Sequence, residues 1–187
     1  MDSAGLLIPL QALTEAIHMS ANYSMTSDWY IEGDLEEIAD ILGDAEGYAR
    51  WWSSVYLDMK VIEPGDEEKV GQVVDVYSRG WLPYTLQWRA RVTESRRPFG
   101  FTVQSEGDFA GEGVWTLEQQ RDNVHVRFTW NIRADKPLLR YFSFVLRPLF
   151  SANHGWAMRR GEEGLRRELA RRRAVSLSAQ SVSRSDA

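Results

Sequence analysis

His154 is the side chain in this sequence best suited to move a proton near neutrality. It follows Asn153 on a helical stripe that also carries Phe150, Trp156 and Ala157, so a pocket facing the stripe would meet an imidazole and an amide amid apolar surface. Asp108 is the second candidate for acid or base work; with Glu106 and Glu112 it surrounds a bend containing Gly107, Gly111 and Gly113. Each has a plainer alternative: a core histidine or amide bonded to a neighbouring polar group, and a turn aspartate. Tyr84, after Trp81-Leu82-Pro83, either borders an opening or covers a sheet edge. Three scattered histidines without paired carboxylates give no metal site, and no nucleophile, base and orienting group fall into a hydrolase pattern. The glycine bend is no phosphate loop, since no lysine-serine pair follows it and no helix begins there.

Composition bounds the remaining possibilities. A chain of 187 residues suits one domain with a single sizeable core. A formal net charge of -5 argues against nucleic acid as the main partner. The arginines from Arg159 to Arg173 alternate with Glu162, Glu163 and Glu168, as on a solvated helical face. With no cysteine there is neither a disulfide nor a thiol nucleophile, which fits a reducing cytoplasm. No apolar run reaches the roughly 18 residues of a membrane span. The run Gly5-Leu6-Leu7-Ile8-Pro9-Leu10 lacks a basic leader and is broken by proline, a poor signal peptide. Eight tryptophans, seven tyrosines and seven phenylalanines supply ring area for a core or for a lined cavity. No cofactor motif is present, and oligomeric state is not encoded in any legible pattern.

The elements that must position these residues are mostly strands. Tyr23 to Glu32 reads as the first, ended by Gly33. Asp34-Leu35-Glu36-Glu37 reads as a capping box opening a helix through Leu42, and Gly43-Asp44 leads into a second short helix ending at Trp52. Val55, Leu57, Met59 and Val61 alternate with Tyr56, Asp58, Lys60 and Ile62. Further strands are predicted at Val70 to Arg79, Tyr84 to Val92, Phe99 to Ser105, Val114 to Gln119 and Val124 to Arg133, with His125 on the polar side of the last. Polar turns join them, as in an antiparallel meander. A long helix from Asp135 to Arg173, with Pro148 marking a kink or two abutting helices, is the one element able to cover the apolar face. Residues 1–22 form an N-terminal extension with a possible short helix from Gln11 to His18, and residues 174–187 read as a disordered tail.

This order resembles the START-like helix-grip superfamily (SRPBCC), which includes polyketide cyclase/dehydrase and lipid-transport families. The resemblance spans about residues 25 to 173. It rests on Tyr48-Ala49-Arg50-Trp51-Trp52, Glu63-Pro64-Gly65-Asp66, Gly80-Trp81-Leu82-Pro83-Tyr84 and the run from Gly107 to Trp115, together with Arg147-Pro148-Leu149-Phe150 and Asn153-His154-Gly155-Trp156-Ala157-Met158. It implies an α+β helix-grip fold: a curved seven-stranded antiparallel sheet around the long C-terminal helix, with two short helices after the first strand. It also implies a cavity between sheet and helix, lined here by Trp29, Leu86, Trp88, Phe101, Val103, Trp115, Leu117, Phe128, Trp130, Phe150, Asn153, His154 and Ala157, with Tyr84 at its border.

The function expected on these grounds is binding of a small or medium apolar molecule (aromatic, polyketide-like or lipid), with Asn153, His154 or Tyr84 fixing its orientation. Large rings at so many positions favour a small or flat pocket over a wide lipid tunnel. The alternatives are a cyclase/dehydratase-type enzyme using His154 with Asp108 or Tyr84, and a non-catalytic protein-interaction module.

Overall fold

Alternating apolar and polar residues build seven strands whose apolar sides face one way. The computed structural model describes residues 22–108, 110–133 and 143–185. Strand β1 (Asn22–Glu32) is followed by helices α1 (Leu35–Leu42) and α2 (Tyr48–Trp51). Then come β2 (Tyr56–Glu63), β3 (Val73–Arg79), β4 (Thr85–Ser95), β5 (Gly100–Gly107), β6 (Ala110–Gln120), β7 (Asn123–Arg133) and helix α3 (Ser143–Ser185). One sheet results, in the order β1-β7-β6-β5-β4-β3-β2, and every neighbouring pair is antiparallel. This is the helix-grip arrangement. The single crossover carries β1 to the far edge beside β7, with α1 and α2 on the way to β2.

Helix α1 starts where Asp34 accepts the Glu36 N–H at 2.8 Å, the capping role its sequence predicts. Its buried side is Ile38, Ile41 and Leu42, which join Trp29, Ile31, Trp51, Trp52, Trp115 and Leu165 in the main core. Helix α3 reaches this core through Met158, Leu165 and Leu169. Close approach is possible because Gly161 and Gly164 leave room where a Cβ would collide with the Trp52 indole and with the Trp51 carbonyl. The Trp52 indole N–H donates to the Ala157 carbonyl at 3.0 Å, pinning α2 to α3.

Several expectations are corrected. Residues 174–185, expected as a disordered tail, continue α3. The stretch holds neither glycine nor proline, and the hydroxyls of Ser176 and Ser178 donate back to the Arg172 and Val175 carbonyls. Of the two outcomes expected at Pro148, two abutting helices are excluded, since it lies inside a single helical element. Strand β3 starts at Val73 because the residues before it close a turn, where Asp66 accepts the Val70 N–H at 2.8 Å and Lys69 takes φ 66. On β2 a register shift between Tyr56 and Asp58 turns Leu57 outward, so Tyr56 packs inward with Met59. The helix at Gln11–His18 and the helix start at Asp135 lie outside the described residues.

Glu168 is the largest departure from the solvated face expected of α3. It is 3 % exposed, under three guanidinium groups. Arg50 donates to it at 2.8 Å, Arg171 at 2.7 and 2.8 Å, and Arg172 at 3.0 Å, while Arg172 also reaches Asp44 at 2.8 Å. Hydrogen bonds from Arg171 above all, then from Arg50 and Arg172, hold the Glu168 carboxyl far below the usual range against the opposing effect of burial. Replacing it by glutamine is expected to lower stability by about 2 kcal/mol, below the range for a fully buried pair because the arginines stay half in water. Urea unfolding at pH 7 measures this, and a change under ~0.5 kcal/mol would show that the cluster does not hold α2 to α3.

Candidate functional site

Rings from four adjacent strands meet on the inner face of the sheet. Trp115 of β6 stacks on Phe128 of β7 at 4.3 Å between centroids, and Phe101 of β5 lies 6.2 Å from Trp115. Trp130 continues the row at 5.3 Å from Phe128, and Trp88 of β4 closes it edge-on at 5.7 Å from Trp130. The row forms because strand alternation sends these positions inward and the antiparallel register places Trp115 opposite Phe128. Trp130 fits because Gly113 lies opposite it, where a Cβ would run into the indole ring.

Above this floor is a cavity of about 200 Å³. Trp88, Phe101, Val103, Trp115, Leu117, Phe128 and Trp130, which the family resemblance implies as lining residues, border it. Tyr48, Tyr56, Met59, Gln72, Val74, Ala90 and Val92 also line the wall. Its mouth lies between α1, the β2–β3 loop and the β4–β5 turn, at Asp40, Gly43, Glu67, Glu68, Lys69, Arg97 and Pro98. Two contacts frame that mouth. Lys69 Nζ donates to the Gly43 carbonyl at 2.7 Å, and the Arg97 guanidinium donates to Asp40 with Glu36 at 3.6 Å. The Lys69 backbone is left-handed, a conformation that costs a non-glycine residue about 1 kcal/mol and is here held by the turn.

The other candidate residues lie elsewhere. Trp29 is buried in the main core against Trp52 and Trp115, each 5.6 Å away, and Leu86 is buried outside the cavity wall. Asn153 accepts the Trp81 N–H at 2.9 Å, so it fastens the β3–β4 loop to α3. Tyr84 ends that loop half-buried, and burial raises its phenol pKa. Ala157 packs on the core and offers its carbonyl to Trp52. The Phe150 side chain lies outside the described residues. Asp108 accepts the Gln87 N–H at 2.9 Å while its own N–H donates to the Gln87 carbonyl at 3.1 Å, which ties the glycine bend to β4. No described α3 side chain borders the cavity, so its described wall is sheet, α1, α2 and loops.

His154 lies against β1, its Nε2 3.2 Å from Ser27 Oγ. Burial lowers its pKa to about 4. The ring is therefore neutral at pH 7. His125, read as exposed, stacks on Tyr30 at 4.7 Å and bonds Asp28 at 2.7 Å on the outer face.

The residues that sequence reasoning missed fall into two groups. Gly43, Lys69, Arg97 and Pro98 come from turns with no periodic signal, and only the topology unites them. Tyr56 sits on a strand, but the bulge beside it reverses the face that alternation assigns.

The geometry and the comparisons agree on the class of protein: the chain has the START-like helix-grip fold. The Zhui aromatase/cyclase from Streptomyces sp. R1128 aligns with a TM-score of 0.64 at 14% identity, covering 81% of this chain and 95% of its own. A START superfamily protein from Mycobacterium smegmatis aligns with a TM-score of 0.63 at 11% identity, over 79% and 97% of the two chains. A protein from Thermus thermophilus aligns with a TM-score of 0.62 at 17% identity, over 76% and 97%. No family model matches the sequence, and no curated protein does. At these identities the likeness establishes the fold. Among the described residues no helix is long and apolar enough to cross a membrane.

Proposed function

We propose that this protein binds a flat apolar molecule of one or two rings in the cavity over Trp88, Phe101, Trp115, Phe128 and Trp130. The single observation carrying the reading is an aromatic-walled space of about 200 Å³ with a framed mouth. A dry cavity of ~150 Å³ holds benzene, and drug-sized ligands fill ~300 Å³ or more, so this space suits a one- or two-ring molecule and is too small for a lipid chain. Burying ~150–200 Å² of ring surface against a similar area of cavity wall contributes about 8–10 kcal/mol before an association cost of about 4 kcal/mol, which places affinity between tens of micromolar and millimolar. Carriage or sensing of such a molecule is favoured over the cyclase/dehydratase alternative. His154, Asp108 and Tyr84, the proton carriers that alternative would use, all lie outside the cavity wall.

Native mass spectrometry of gently purified protein, with organic extraction of what it carries, tests the reading. A bound one- or two-ring compound at one per chain is the expected result. Ala90→Phe should then fill the space from β4 and lower occupancy at least tenfold while the fold persists by circular dichroism. Full occupancy in that variant would place the compound elsewhere and sink the assignment.

A further inference from the structure

Two tyrosines of the cavity wall differ in one respect. Their rings meet edge to face, 5.3 Å apart. Both line the cavity. The Tyr48 hydroxyl donates to the Leu42 carbonyl at 2.9 Å and is thereby satisfied. The Tyr56 hydroxyl has no hydrogen-bond partner among the described residues, and burial alone raises its phenol pKa, with no hydrogen bond contributing. Tyr56 is only partly buried and its hydroxyl is not sealed from solvent, so the donor is left free for what enters the cavity. Two other polar groups of the wall are engaged: the Trp88 indole N–H donates to Ser78 Oγ at 2.9 Å and the Gln72 amide to the Pro64 carbonyl at 3.4 Å, while the buried Trp51 indole N–H, which has no partner among the described residues, lies outside the wall.

Building on the binding reading above, we infer that the Tyr56 hydroxyl is the polar anchor of the cavity, donating a hydrogen bond to an uncharged carbonyl oxygen on the ring ligand. A phenol is a good donor and a poor acceptor, because its lone pair is drawn into the ring, so the matching ligand group is an acceptor. The charge pattern argues against a carboxylate ligand. Asp40, Glu67 and Glu68 stand at the mouth against Lys69 and Arg97, and both cations are already bonded to protein oxygens. An anion would cross that acidic rim and lose its water among aromatic walls, with one neutral phenol in return. A ketone or ring carbonyl carries a strong acceptor without that desolvation.

The experiment compares 1-indanone with indane, which share a ring frame and differ by the carbonyl. Affinities for wild type and Tyr56→Phe are measured by tryptophan fluorescence quenching on the full chain. The expected result is a fivefold to tenfold loss of 1-indanone affinity in Tyr56→Phe with indane changed less than twofold. A second readout needs no variant: the infrared carbonyl band of 1-indanone should move to lower wavenumber on binding wild type, relative to the same ketone in hexane. If both probes bind and Tyr56→Phe affects them equally or not at all, or if the bound carbonyl band keeps its hexane position, the anchor is overturned while the cavity reading stands. Failure of both probes to bind wild type would overturn the cavity reading, and the anchor with it. Loss of the fold in Tyr56→Phe would mean that the hydroxyl has a structural partner, which also overturns the inference.

Discussion

Trp52→Ala is expected to lower the unfolding free energy by about 4 kcal/mol, within the ~3–5 range for removing a buried tryptophan. Trp52 is 3 % exposed and lies 5.6 Å from Trp29, 5.3 Å from Trp51 and 5.1 Å from Tyr56, ring to ring. Its neighbours come from β1, α2, β2 and α3, so no single element can move in to fill the space. Gly161 gives the indole a flat bed on α3, and the indole N–H to the Ala157 carbonyl fixes its angle. Trp52→Phe should cost about half as much, since it keeps most of the ring contact and loses the N–H. Urea unfolding followed by fluorescence, with circular dichroism as a second probe, measures both. A loss under ~1 kcal/mol in the alanine variant would mean that α3 is held to α2 by something other than this contact. Because Tyr56 packs on Trp52, the alanine variant should also bind ring ligands more weakly.

What the sequence made legible were features written in short-range pattern. Trp115, Leu117, Phe128 and Trp130 face inward because strand alternation puts them there, and the cap at Asp34 follows from residue type and spacing alone. What it concealed depends on contacts between distant segments. Glu168 has arginines three and four residues away, the signature of a wet helix face, but Arg50 arrives from 118 residues earlier and roofs it over. Tyr56 is hidden by a one-residue bulge, which turns it inward and Leu57 outward while Met59 and Val61 keep the inner face. Gly161 and Gly164 carried a readable signal, since two glycines three apart inside a helix point to close packing. The position of the cavity carried none. Its mouth is assembled from a helix end, a loop and a turn that meet only after the sheet closes around them.

His154 is expected to make the fold lose stability as the solution is acidified, well before the carboxylates titrate. Its ordinary pKa is 6.5 and burial lowers it to about 4, because the charged ring would lose water that Ser27 cannot replace. The unfolded chain therefore binds the proton more tightly. Above pH 6.5 both states are neutral at this residue and there is no difference between them. As pH falls from 6.5 toward 4 the unfolded state gains protons that the folded state refuses, so stability drops, by about 2 kcal/mol at pH 5 and about 3 kcal/mol at pH 4. Glu168 works in the same direction but lower down: its carboxyl is depressed by Arg171, Arg50 and Arg172, so its stabilisation is present above about pH 4.5 and is lost only below that. The two are separated by His154→Gln, which keeps a polar group facing Ser27 and removes the titration. Urea unfolding at pH 7, 6 and 5 should show wild type falling away from the variant by ~2 kcal/mol across that span, and the His154 ring proton in NMR should stay at its neutral position until near pH 4. Parallel stability curves for the two proteins, or a ring that titrates near 6.5, would mean that His154 opens to water and is again a candidate for proton transfer.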